Sequence, residues 1–138
     1  MGFVRAYILL VNAVDEINAK QGLIKPEEVR KVEVLALVDT GASTLVINDE
    51  IKEKLGLTTD EYTMGTLADG ATPKVEKTSP IKIYFKNRTA VCSAMVMPKS
   101  QNILLGVLPI EEMDVIADTN IQELVLPPGR EDHALVLL

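Results

Sequence analysis

Leu37-Val38-Asp39-Thr40-Gly41-Ala42-Ser43-Thr44 decides how this chain is read. An aspartate leaves an apolar strand, a glycine turns the chain, small hydroxyl residues follow, and a second apolar run, Leu45-Val46-Ile47, closes the segment. A carboxylate at the end of a buried strand is costly to keep ionised without compensation. A tight turn at Thr40 and Gly41 can supply it, because free backbone N–H groups then point back at the acid. Only one such segment occurs in 138 residues.

Upstream, Val29–Val38 alternates, with Val32, Val34, Ala36 and Val38 on one face, and delivers Asp39 at its end. Phe3–Val11 reads as a strand, and a polar stretch with turns at Gly22 and Pro26 joins the two. Downstream, Asn48 or Asp49 is placed to cap a short helix through Leu55, with Gly56 just past its end. Tyr62–Leu67 and Ala71–Lys77 flank Ala68-Asp69-Gly70, a hairpin signal. Ile81–Phe85 and Thr89–Met97 form a second hairpin around Asn87-Arg88. Asn102–Gly106 is a buried strand ending in glycine, followed by a short helix with Pro109 in its first turn. Val115–Ala117 and Glu123–Leu126 read as late strands before Pro127-Pro128-Gly129 breaks the pattern. The expectation is one mostly β domain over residues 1–138 with two short helices.

Composition narrows the chemistry. Apolar residues make up 47% of the chain and aromatics only 4%, which indicates a folded, aliphatic core. Twenty acidic against fourteen basic residues give a net charge of −6 with no Lys/Arg cluster, so neither nucleic acid nor an anionic membrane is the expected partner. No apolar run approaches a membrane span, and Tyr7–Val11 lacks the cleavage site of a signal peptide; a cytoplasmic protein is expected. One cysteine, Cys92, and one histidine, His133, cannot build the usual zinc cluster, and neither sits in a nucleophile motif. No metal and no cofactor are expected. Glu111, Glu112 and Asp114 read as a solvated helix end, and His133 as an exposed side chain.

The chain also echoes itself. Aligned on their glycines, Leu-Val-Asp-Thr-Gly (37–41) lies over Asn-Ile-Leu-Leu-Gly (102–106), and Leu104 stands where the first copy has Asp39.

Asp-Thr-Gly alone would occur by chance in about a few per cent of chains this long. Together with the Ala68-Asp69-Gly70 hairpin and Ile103-Leu104-Leu105-Gly106 before the last helix, it resembles the retropepsin-like (retroviral-type) aspartic proteases, in particular their small prokaryotic members. The resemblance covers roughly residues 29 to 126. It implies a closed β-barrel of the acid-protease half type and an endopeptidase acting on a peptide or protein substrate. Asp39 would be the catalytic acid, with Thr40, Gly41 and Ala42 supporting its loop. Leu67, Ala68, Asp69 and Gly70 would belong to a flap closing over an extended peptide. Peptide hydrolysis by carboxylates needs two of them, and Leu104 cannot be the second. The partner would be Asp39 of another copy, in a homodimer. The apolar segment Ala134–Leu138, within a tail spanning 130–138, would then serve as an inter-subunit strand.

Other readings of the same residues remain open here. Asp39 can simply cap a turn. Asp69 needs no role beyond its hairpin. A phosphate-binding Asp-x-Gly of the actin type would need a much longer chain, and an aspartyl-phosphate enzyme would want an acid where Gly41 stands. A dimer of this shape that binds peptides without cutting them is the principal alternative.

Overall fold

In a computed structural model describing residues 3–138, the chain is mostly β, with three α-helices. Nine strands form one sheet: β1 (Arg5–Asn12), β2 (Lys31–Val38), β3 (Leu45–Ile47), β4 (Thr59–Met64), β5 (Lys74–Thr78), β6 (Ile81–Phe85), β7 (Arg88–Cys92), β8 (Ala94–Val96) and β9 (Ile103–Leu105). Their order is β4-β5-β8-β3-β9-β2-β1-β6-β7, and a separate two-stranded ribbon joins β10 (Ile116–Asp118) to β11 (Glu123–Val125). The helices are α1 (Ala13–Lys20), α2 (Asp49–Leu55) and α3 (Val107–Met113).

The expected alternation in β2 holds. Val34 and Ala36 are buried, and Glu33 and Leu35 face outward. They pack with Ile8 and Leu10 of β1, Leu45 and Ile47 of β3, Ile81 and Ile83 of β6, and Leu105 of β9, all nearly inaccessible. Each of these valine, leucine and isoleucine side chains contributes about 1.5–3 kcal/mol by leaving water. Helix α2 has the anticipated ends: the Asn48 side chain accepts from the Ile51 N–H at 2.9 Å, and Gly56 takes a left-handed conformation at φ 60°.

Several expectations are corrected. Among the described residues there are three α-helices, not two. Helix α1 occupies part of the stretch read as polar connection, because Asn12 ends β1 and at once caps the helix by accepting from the Asp15 N–H at 3.0 Å. Asp15 then accepts from Arg30 through its backbone N–H, Nε and Nη2 at 2.8–3.0 Å, tying α1 to the approach to β2. The sheet is not a closed barrel: among the described residues, β4 and β7 are its two ends and do not pair with each other. Thr89–Met97 is not one strand. It breaks at Ser93 into β7, which pairs with β6, and β8, which pairs with β3 and β5. The second hairpin turns at Lys86-Asn87, which places Arg88 inside β7 and buries it. Among the described residues, no helix is long and apolar enough to cross a membrane.

Candidate active site

Strands β2 and β9 run parallel side by side, with Leu37 opposite Leu104 and Val38 opposite Leu105. The Asp39 N–H extends this ladder by donating to the Leu105 carbonyl at 3.0 Å. The chain then turns, and the Ala42 N–H donates back to the Asp39 carbonyl at 3.1 Å. Within the turn, the Gly41 N–H donates to Asp39 Oδ1 at 2.8 Å, the compensating bond that the motif called for. Gly41 lies in this turn with Asp39 Oδ1 only 3.1 Å from where a β-carbon would stand.

The echo at 102–106 has a structural meaning. Strand β9 lies between β2 and β3, so the second glycine segment runs directly against the first. Val107 and Leu108, at the start of α3, donate through their N–H groups to the carbonyls of Ala42 (2.9 Å) and Ser43 (3.0 Å). A β-carbon on Gly106 would sit 2.5 Å from the Ala42 carbonyl oxygen and 2.7 Å from the Thr44 nitrogen. The two backbones approach that closely only because Gly106 has no side chain. Thr44, buried, fixes the far end of the turn by donating through its hydroxyl to the Ser93 carbonyl at 3.1 Å.

Asp39 opens onto a groove of about 630 Å³. Its floor is a row of three half-buried side chains, Leu104, Val46 and Met95, one from each of the adjacent strands β9, β3 and β8. In each strand the flanking residues point into the core and the middle one points into the groove. Met97 and Val75 extend this apolar surface, and among the described residues Asp39 is the only carboxylate lining it.

The loop between β4 and β5 forms the opposite wall. Gly65, Thr66, Leu67 and Ala68 line the groove. Backbone bonds from Gly65 to Pro73 (2.9 Å) and from Leu67 to Ala71 (2.8 Å) hold the loop as a hairpin. Of the four residues expected in a flap, Leu67 and Ala68 face the groove. Asp69 and Gly70 do not: Asp69 accepts from the Ala71 N–H at 2.9 Å, and Gly70 adopts φ 86° at the tip. Strand β4 begins and ends earlier than expected and β5 begins and ends later, since Met64 pairs with Lys74 as the last rung. Thr40 is exposed and absent from the groove lining, whereas Ala42 and Ser43 belong to it.

A family model of aspartyl proteases matches residues 26–107, a span that begins before β2 and ends at Val107, one residue past the glycine beneath the Asp39 loop. The chain belongs to the aspartyl protease family. The likeness of Asp39-Thr40-Gly41-Ala42 to the retropepsin-like proteases is thus borne out at the level of the family. Among solved structures, the protease of EIAV in complex with the inhibitor HBY-793 is similar. It is 20% identical over 76% of this chain and 82% of its own, with a TM-score of 0.45. No curated protein matches.

The floor of the groove in this aspartyl protease family member escaped the sequence reading. Val46, Met95 and Leu104 each sit in a short apolar run whose local pattern says only that it is buried. Their shared face becomes visible once β3 is known to lie between β8 and β9.

Proposed function

We propose that this protein is an aspartic endopeptidase whose working form is a homodimer, with two Asp39 carboxylates meeting over one scissile bond. The observation that carries this reading is the single carboxylate in the groove, aligned by the Gly41 N–H at 2.8 Å on an apolar floor beneath a hairpin loop. One aspartate cannot both activate water and protonate the carbonyl, so a second copy has to complete the site.

In the proposed reaction one Asp39 is ionised and the other carries a proton. The ionised acid takes a proton from a water that attacks the scissile carbon, while its partner protonates the carbonyl oxygen. Two like carboxylates within a few ångströms cannot both ionise, which keeps the shared proton in place. Collapse of the tetrahedral intermediate returns a proton to the departing amide nitrogen and regenerates the pair. Thr40, exposed in one chain, is assigned to contacts between the two motif loops. The Gly65–Ala68 wall and the hairpin tip at Asp69-Gly70 are assigned to covering an extended peptide whose apolar side chains rest on Leu104, Val46 and Met95.

The tail enters the same reading. Leu135, Val136, Leu137 and Leu138 are exposed in the chain by itself, and no strand includes them. Such an apolar segment is assigned to a strand shared between the subunits. Removing residues after Leu135 leaves the docked portion of the segment intact and should weaken dimerisation in sedimentation. An unchanged dimer would deny the tail that role.

The decisive test is hydrolysis of a peptide library by the wild-type chain and by Asp39→Asn. Turnover by the wild type, its loss in the variant, and its loss in mixed dimers are the expected results. Turnover retained by Asp39→Asn would end the proposal.

A further inference from the structure

Helix α3 has its two ends in different business. At its start, Val107 and Leu108 hold the Ala42 and Ser43 carbonyls of the Asp39 loop. At its finish, Asp114 terminates the helix in a left-handed conformation at φ 53°. The Asp114 carboxylate accepts from Arg130 Nε at 2.8 Å, from Arg130 Nη2 at 3.0 Å and from the Leu135 N–H at 3.0 Å. Seven residues of helix span only about 10 Å, too short to flex between these ends.

The segment that supplies Arg130 is itself fixed. Asn87 donates to the carbonyls of Glu131 and Asp132 at 2.8 and 3.0 Å, and the buried Arg88 donates to the Arg130 carbonyl. The finish of α3 is therefore clamped to the β6–β7 turn through residues 130–135. A second tie, from the Val91 N–H to the Glu112 carboxylate at 2.7 Å, holds the same helical turn to β7. Met113 anchors it in the core. Met113 sets the depth of the helix; the polar ties set its rotation and its position along its axis, and those decide where the Val107 and Leu108 N–H groups meet the loop.

We propose that Asp114 and Arg130 are positioning residues for the Asp39 loop, acting through α3, so that docking of the C-terminal segment is felt at the site. The functional meaning rests on Asp39 being the reacting acid; the mechanical coupling does not. The segment beginning at Leu135 is the one assigned to the second subunit, so the same link would report dimer formation to the loop.

Hydrogen exchange in Arg130→Ala and Arg130→Lys tests the coupling without any need for turnover. In Arg130→Ala, the Val107 and Leu108 amides should exchange about fivefold faster, the size a partly buried ion pair supports, while amides of β1 and β2 stay unchanged. Arg130→Lys, which keeps the charge, should recover part of that protection. Unchanged exchange at Val107 and Leu108 would overturn the proposal. So would an equal rise in exchange across all strands, which would make the pair a contributor to global stability only. Peptide hydrolysis adds a separate readout: kcat falls several-fold with KM steady at enzyme concentrations that keep the dimer intact. A wild-type chain without turnover, whose Val107 and Leu108 amides still respond, would count against the protease reading and leave the coupling standing.

Discussion

Two strand–glycine turns sit against each other in this fold, and they have opposite uses for the same geometry. The turn after β2 presents a carboxylate to the groove and aims it with the Gly41 N–H. The turn after β9 presents nothing; Gly106 removes even a β-carbon so that the first turn can rest on it. Under the proposed function, one is chemistry and the other is its support. The lesson is that an internal repeat need not repeat function: here the second copy keeps the backbone course and gives up the acid.

The largest expected effect breaks the first half of this contrast. Asp39→Asn should lower peptide hydrolysis by at least about 10³-fold, as removal of an acid–base group does, with thermal unfolding nearly unchanged. A comparable loss of stability would mean that Asp39 is a turn cap. Gly106→Ala addresses the second half. The added methyl meets backbone rather than a movable side chain, so it should cost about 3 kcal/mol of stability, measured by denaturant unfolding. Gly41→Ala, in an exposed turn, should change stability far less and act on turnover instead, because its methyl crowds the Asp39 carboxylate. Equal stability costs at the two glycines would erase the distinction between site and support.

A smaller effect sharpens the role of the floor. Met95→Asn replaces a half-buried apolar side chain that projects into the groove, and should raise KM for an apolar peptide about tenfold with kcat held. A fall in kcat alone would show that Met95 shapes the Asp39 loop rather than the substrate.

The smallest concerns the far end of α3. The Arg130 guanidinium, aided by the Leu135 N–H, lowers the Asp114 carboxyl from 3.8 to about 2. A depressed carboxyl stabilises the folded arrangement above its ordinary range. That contribution is complete above about pH 4 and is lost as pH falls through about 2. The Leu135 amide resonance should titrate with a midpoint near 2; a midpoint near 4 would mean that the ion pair does not form. Asp15, lowered chiefly by its bonds to the Arg30 side chain, follows the same sign, so the tie between α1 and β2 should also weaken on the acid side.

Much of this could be read from the residues because the signals were local. The β2 alternation, the Asn48 cap, the Gly56 stop and the Asp-Gly hairpin each depend on neighbours within a few positions. Helix α1 was missed because Asn12 serves two elements at once, ending a strand and capping a helix. Arg88 was misplaced because a two-residue turn shifted by one position exchanges a turn residue for a strand residue. The groove floor and the Asp114–Arg130 clamp depend on pairings between distant segments, and no periodicity in one stretch encodes them.

A groove with one carboxylate per chain makes abundance an input to the chemistry. Under the proposed mechanism, the number of complete sites rises with the square of chain concentration wherever monomers predominate, and dilution silences them without any inhibitor. Halving the amount of protein in that regime removes about three quarters of the working sites. A cell could then hold the chain inert by keeping it scarce and bring it to life by gathering it in one place.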